Sequence, residues 1–301
     1  MSNNLNIWTF NVNSIRKKMD RINELLNKHN IDILLVTETK IKIGLESEII
    51  IPKGYNVIWN SNLKTFFHGV AFFYKEHITL TLLCKELPNV NKFKMIRKDL
   101  KNNKKVSDTP TTTLDADTQK AHNTEGRLLT VKCEIKDKSH NDLVFIIVGT
   151  YVPNSGCDRK EPLKRLAYRT LRWDKDLYHH LLTLEKEYSK VIWLGDLNVT
   201  RFDNDIYYPK INIAGTTEEE RSNFNEFLNS SKWIDTWHVK NPDKVTIRQR
   251  CTYGEDMKCK LRLDYIICSP SLEQNIVSST IDHRFEGSDH IPIGTTFSLF
   301  K

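Results

Sequence analysis

Apolar side chains recur along this chain in two rhythms, and its acids and amides collect where a rhythm breaks. Runs of strand length, alternating or continuously apolar, occur at 5–12, 31–36, 55–59, 69–74, 78–84, 128–135 and 143–151, with Pro and Gly marking turns between several of them. Further runs begin at Val191 and span 261–268 and 291–300. Met19, Ile22, Leu25 and Leu26 instead repeat at helical spacing up to about residue 29. Leu163, Leu166, Leu177, Leu181 and Leu184 predict one long amphipathic helix over 162–188 that feeds the strand at 191. Thr217-x-x-Glu220 is a capping box and opens a shorter helix over 217–228.

Several strands deliver polar groups at one end. The run from Val191 stops at Gly195-Asp196-Leu197-Asn198, where glycine permits a sharp turn and the carboxylate and amide, two residues apart, face the same side. Such a pair suits a water-orienting role, the carboxylate accepting a proton and the amide fixing geometry. The first strand ends in Asn11 and Asn13, the second in Thr37-Glu38-Thr39-Lys40, and the run to residue 151 in Tyr151-Val152-Pro153-Asn154. Asp264 lies within the 261–268 run, and Asp289-His290 stands just before the last strand.

Composition narrows the class. Of 301 residues, 28% are charged and 39% hydrophobic, and the longest apolar run is far shorter than the roughly 20 residues of a membrane span. No linker divides the chain, so we expect a single domain over 1–301; no signal, transit or lipidation motif precedes the first strand, so we expect an intracellular protein, nuclear or cytoplasmic. Six cysteines without metal-ligand spacing read as reduced thiols. A formal charge of +7 favours a polyanionic partner, nucleic acid foremost. The stretch 91–126 breaks the strand pattern with Lys92, Lys94, Arg97, Lys98, Lys101, Lys104 and Lys105, then turns rich in Thr, Asp and Ser. Too poor in apolar residues to fold alone, it reads as a flexible solvated insertion, with a nucleic-acid-gripping loop as the alternative.

In this order the motifs resemble those of the exonuclease III type of apurinic/apyrimidinic endonuclease, within the endonuclease/exonuclease/phosphatase superfamily. The resemblance rests on Trp8-Thr-Phe-Asn-Val-Asn13, Glu38-Thr-Lys40, His68-Gly-Val70, Glu125-Gly-Arg127, Tyr151-Val-Pro-Asn154, Gly195-Asp-Leu-Asn-Val199, Ala214-Gly215, Arg262-Leu-Asp-Tyr265 and Gly287-Ser-Asp-His-Ile-Pro292, and covers nearly the whole chain. It implies a four-layer α/β/β/α sandwich of two packed mixed sheets with the site at the strand ends. It further implies a DNA repair enzyme that cleaves 5′ to an abasic site and leaves a 3′-hydroxyl, with 3′–5′ exonuclease or 3′-end-cleaning activity as a further expectation for this chain. The implied partner is double-stranded DNA containing abasic sites, bound by a monomer, and the implied cofactor is Mg²⁺, with Mn²⁺ as a substitute.

Carried over residue by residue, Glu38 is the principal metal ligand, with Asn13 and Asp289 near the ion and Asn11 supporting them. Asp196 orients or deprotonates the attacking water and Asn198 helps place it, while His290 bonds the scissile phosphate and Asp264 orients His290. Tyr151 and Asn154 contact phosphate; Arg16, Lys40 and Arg127 match backbone-contacting positions. Counting back without gaps from Asp264 assigns Ile247, Leu261 and Leu263 to the pocket for the baseless sugar, where relatives commonly carry Phe, Trp and Leu. Many relatives also have Asp in place of Asn13. The alternatives are a less selective DNA-nicking endonuclease of the retrotransposon type, a phosphatase or phosphodiesterase of the same superfamily, and a non-enzymatic nucleic-acid-binding protein; the last would be expected to lack Glu38, Asp196 or His290, and all three are present.

Overall fold

The computed structural model describes residues 4–88, 124–135, 143–156, 162–207, 213–254 and 261–299, apart from the side chains of 247 and 248. The expected insertion, up to residue 123, lies outside the described residues.

Two six-stranded sheets form among these residues. The first uses β1 (Asn4–Asn11), β2 (Ile33–Thr37), β3 (Tyr55–Asn60), β4 (Val70–Lys75), β11 (Ile276–Ile281) and β12 (Ile293–Ser298), in the order β11-β12-β1-β2-β4-β3. The second uses β5 (Thr79–Cys84), β6 (Leu128–Ile135), β7 (Leu143–Tyr151), β8 (Val191–Asp196), β9 (Ile234–Asp235) and β10 (Asp264–Cys268), in the order β5-β6-β7-β8-β10-β9. One parallel pair sits inside each sheet, β1 with β2 and β7 with β8, and the other pairs are antiparallel. Both sheets are therefore mixed. Their facing sides share one apolar core that includes Leu35, Phe72, Ile147 and Leu194. Burying each such side chain contributes roughly 1.5–3 kcal/mol.

Helices cover the outer faces and complete the four layers. Helix α1 (Met19–Lys28) turns Ile22, Leu25 and Leu26 into a second cluster against β1 and β2. Helix α2 (Asp174–Tyr188) and α3 (Glu218–Ser231) pack Leu177, Leu181, Phe224 and Phe227 against Trp193 on β8. The capping box forms as expected: Thr217 Oγ1 accepts from Glu220 N, and the Glu220 carboxylate accepts from Thr217 N at 3.2 Å. Glu220 is buried and also accepts from Gly215 N and the Ser155 hydroxyl, so the cap ties α3 to loops of the second sheet.

Three expectations are corrected. The helix over 162–188 is broken: residues 162–165 are turns, Leu166–Tyr168 is helical, and Arg169–Trp173 is a π-turn before α2. A π-bulge re-aims side chains by one position, and here it points Arg169 inward to the Asp174 carboxylate at 2.6 Å. The 261–268 strand begins only at Asp264, because residues 261–263 bond to loops instead of continuing the ladder against β8. The cysteines are not all reduced thiols: Cys84, Cys133 and Cys268 are free, but Cys251 is disulfide-bonded.

Candidate active site

Register brings the strand ends together. Asn11 pairs with Thr37 across β1 and β2, while Asp196 on β8 faces Tyr151 on one side and Asp264 on the other. Only glycine serves just before Asp196, since a Cβ on Gly195 would stand 1.9 Å from the Thr150 carbonyl oxygen. Past the strand ends the backbone is bent hard: Asn13, Glu38, Lys40, His68 and Asn198 all have positive φ, between 47° and 62°. Non-glycine residues rarely adopt this conformation, and such residues concentrate where surrounding structure holds a functional geometry.

Two hydrogen-bonded groups meet at the centre. In one, the buried His290 lies between Asp264 and Asp196, with Nδ1 2.8 Å from Asp264 Oδ2 and Nε2 3.8 Å from Asp196 Oδ2. Burial opposes charge on His290, but the carboxylates of Asp264 and Asp196 outweigh it and hold the proton well above the ordinary histidine range. Burial pushes the Asp196 carboxyl up, with His290 opposing and the charges of Asp264 and Glu38 reinforcing the rise. A carboxylate of raised basicity facing a cavity is suited to accepting a proton near neutral pH. Asn198 is fixed beside it: its N–H donates to Asp196 Oδ1 at 3.0 Å, its side-chain amide to the Val152 carbonyl, and its Oδ1 accepts from Asn154 Nδ2 at 3.1 Å.

In the other group Glu38 Oε1 accepts from the Tyr151 hydroxyl at 2.7 Å and from Asn11 Nδ2 at 3.1 Å, and the same Asn11 amide reaches Asp196 at 3.0 Å. Burial alone would raise the Glu38 carboxyl; the hydrogen bonds from Tyr151, Asn11 and Lys40 lower it instead. It stays ionised. The Lys40 ammonium bridges Glu38 Oε2 and the side-chain amide oxygen Oδ1 of Asn13, and Asn13 Nδ2 donates to Asp289 Oδ1 at 3.2 Å. The oxygens of Glu38, Asn13 and Asp289 thus line one connected cluster that already accepts a cation. That donor set suits a hard divalent ion. Asp196, Asp264 and His290 also bring ligand atoms within 4.8 Å of one another. There, however, the imidazole is bonded to Asp264, so that trio is better placed to move a proton than to hold an ion.

The remaining expected residues divide. Leu261 and Leu263 line the same cavity as Glu38, Asp196 and His290, together with Ile213, Ala214 and Tyr253. Ile247 opens a short helix, Ile247–Arg250, and its side chain lies outside the described residues. Arg127, expected at the DNA backbone, is 3% exposed; it donates to Glu125 and to the Tyr151 carbonyl and stacks 4.7 Å from the Tyr151 ring. It braces Tyr151 from within. Lys40 belongs to the Glu38 cluster, and Arg16 stands at the surface, paired with Glu48 at 2.6 Å.

One residue, Arg169, had no signal in the sequence, and another, His68, was marked there by its motif but given no role. Arg169, fully buried by the π-turn, donates to the carbonyls of Pro153 and Leu197, the residues just before Asn154 and Asn198. Nothing in its local pattern marks it, because its role depends on loops 16 and 28 positions away. His68 lies in the cavity with its basicity pushed down to about 3, chiefly by burial and then by Arg127, so it is a neutral imidazole.

Comparison with known proteins finds relatives of the chain and of its fold. Residues 8–290 fit the profile of the Endonuclease/Exonuclease/phosphatase family. A DNA-(apurinic or apyrimidinic site) endonuclease of Dictyostelium discoideum is 31% identical over 306 residues, covering 99% of this chain and 72% of the relative. An exodeoxyribonuclease of Bacillus subtilis is 27% identical over 296 residues, covering 96% and 98%. Among solved structures, the APE2 catalytic domain of Xenopus laevis superposes with a TM-score of 0.76 at 22% identity, covering 98% of this chain and 92% of that one. The AP endonuclease LMAP of Leishmania major gives 0.74 at 20% identity, covering 98% and 88%. Those two likenesses bear on the fold, which they share with the two-sheet architecture described above. With a family profile matching residues 8–290 and a relative 31% identical over 99% of this chain, the chain belongs to the endonuclease/exonuclease/phosphatase family.

Proposed function

We propose that the protein is a DNA repair endonuclease of the exonuclease III type, cleaving the phosphodiester 5′ to an abasic site and leaving a 3′-hydroxyl. The observation that carries this reading is the Asp264–His290–Asp196 chain abutting the Glu38 cluster inside a cavity also lined by Leu261, Leu263, Ile213 and Ala214. A phosphate diester against the polar wall would meet His290 as a hydrogen-bond donor to a phosphoryl oxygen. Asp196, steadied by Asn11 and Asn198, would take the proton of the attacking water. Asp264 holds the ring in one orientation and favours its protonated form, leaving Nε2–H free to donate. A divalent ion held by Glu38, Asp289 and Asn13, Mg²⁺ by its preference for oxygen, would supply Lewis-acid polarisation and neutralise the leaving oxygen. The relatives named above support the substrate, being a DNA-(apurinic or apyrimidinic site) endonuclease and an exodeoxyribonuclease. The test is incision of an abasic duplex beside an intact one, with Mg²⁺ and with chelator; no metal-dependent nick at the abasic site would sink the proposal.

Two expected outcomes follow from the cavity. Glu38→Ala should raise the Mg²⁺ concentration for half-maximal incision, with partial recovery at excess metal, because few carboxylates surround the ion. A metal titration that does not move would make Glu38 structural. Leu261→Trp restores a flat wall beside Leu263 and should increase the ratio of abasic to undamaged incision several-fold, since an aliphatic wall excludes an intact base less strictly. An unchanged ratio in a folded variant would take Leu261 out of the sugar pocket.

A further inference from the structure

One buried arginine joins the loops that follow β7 and β8. Arg169, in the π-turn, is 2% exposed and is not among the residues that line the cavity. Its Nε donates to Asp174 Oδ1 at 2.6 Å, and one terminal nitrogen donates both to the Pro153 carbonyl at 3.3 Å and to the Leu197 carbonyl at 3.1 Å. Asp174 is itself buried, so the guanidinium charge meets its counter-charge away from water. A planar guanidinium can serve a carboxylate and two carbonyls at once, which an ammonium on a flexible stem does less well.

The two carbonyls lead into residues of the site. A peptide unit is a rigid plane, so holding its oxygen also fixes the N–H of the next residue. In the unit joining Leu197 to Asn198, Arg169 holds the oxygen while the N–H donates to Asp196 Oδ1 at 3.0 Å. A cation on that carbonyl polarises the peptide and strengthens its N–H as a donor. In the unit joining Pro153 to Asn154, the same nitrogen fixes the start of Asn154, whose amide donates to Asn198 Oδ1 at 3.1 Å. Asn198 in turn donates to the Val152 carbonyl at 2.9 Å, and its φ of 48° is a conformation that surrounding contacts must hold. We infer that Arg169 is a positioning residue: through these two peptide planes it sets the Asp196 carboxylate and the amides of Asn198 and Asn154 without touching the substrate. This rests on the function proposed above. Releasing the Leu197 carbonyl frees that plane to rotate and takes the N–H of Asn198 from Asp196; misplacement of about 1 Å in such a group costs on the order of a hundredfold in rate.

A double-mutant cycle tests this. Arg169→Met combined with Asp174→Leu removes the guanidinium without leaving its buried carboxylate unpaired. Single-turnover incision of an abasic duplex in Mg²⁺ and anisotropy binding of that duplex in Ca²⁺ are measured for wild type, this pair variant and Arg169→Lys, each with and without Asp196→Asn. The pair variant should lose about ten- to hundredfold in rate with affinity within about twofold of wild type. In the Asp196→Asn background the same change should cost less than about twofold, because the group that Arg169 positions is already disabled. A general loosening of the fold would instead carry its full factor into both backgrounds. Arg169→Lys keeps a charge beside Asp174 but loses the fork; it should lose about three- to tenfold with the same dependence on Asp196, and it decides where the pair variant does not fold. A folded pair variant or a lysine variant at the wild-type rate, a loss carried in full into the Asp196→Asn background, or a loss of affinity matching the loss of rate would overturn the inference. A wild type that makes no metal-dependent nick at the abasic site would overturn the function on which the inference rests.

Discussion

Asp196→Asn should abolish turnover, lowering single-turnover incision of an abasic duplex by roughly a thousandfold or more while leaving DNA affinity nearly unchanged. The substitution keeps the size of the side chain and leaves an oxygen able to accept from Asn198 N, so the bend after β8 should persist. What it removes is the acceptor of raised basicity beside His290. That acceptor acts mainly as the proton moves, and losing it should appear in the rate constant and not in binding. Rapid-quench incision and anisotropy binding on one preparation read the two separately. Near-normal incision would remove Asp196 from the centre of the mechanism; a large loss of affinity would recast it as a binding residue.

On stability, the largest effect is expected from Arg262→Met. Arg262 is fully buried and forks onto Asp235 through two bonds of 2.6 and 2.8 Å, with the rings of Trp237 and Tyr265 at 5.0 and 4.3 Å from its guanidinium carbon. Removing it leaves the buried Asp235 carboxylate with only the more distant Arg201 guanidinium, at 3.6 Å, and breaking a buried pair in this way costs about 3–5 kcal/mol. Adding Asp235→Leu should recover much of that loss, since the penalty comes from a buried charge that has lost its main partner. The pair also sets a pH dependence. Burial would raise the Asp235 carboxyl, but Arg262 prevails and holds it down at about 2, below an unfolded value near 4. A depressed folded value means the stabilisation is present above about pH 4 and is lost as pH falls towards 2. Asp235→Asn should therefore be less stable at neutral pH and show a shallower loss over that acid interval. Urea unfolding of the four proteins at pH 7 and pH 3 checks both points. Equal stability of Arg262→Met and wild type would remove the pair from the account of the fold.

The two positions also show how much was legible beforehand. Asp196 could be read from nine residues in a row, because a strand periodicity that ends at Gly195 is a local signal and the glycine is demanded by the Thr150 carbonyl alongside. The strands over 128–135 and 143–151 and the capping box at Thr217 were legible for the same reason: period, turn residues and caps act between near neighbours. The motif order carried the family, and with it the convergence of Glu38, Asn11, Asp196, Asp264 and His290 at one place.

Other features had no local signal. Arg262 reads as an ordinary basic residue in Arg-Leu-Asp-Tyr, and only the packing of β9 beside β10 gives it Asp235, 27 positions away. Arg127 looks like a charge for DNA until burial turns it towards Tyr151. Edge strands β9 and β11 went unread, β9 because it has two residues and β11 because half of its side chains face outward without a strict alternation. The amphipathic stretch over 162–188 has the right period for one helix, yet its π-turn follows from Arg169 seeking Asp174 and two loop carbonyls. Periodicity and caps, which depend on neighbours along the chain, determined the elements and placed most of the proposed catalytic groups at their ends. Which charges are buried, which partners they meet and which side chains line the cavity were decided by tertiary packing, because a side chain's desolvation and its ion partner do not exist until distant segments are brought together.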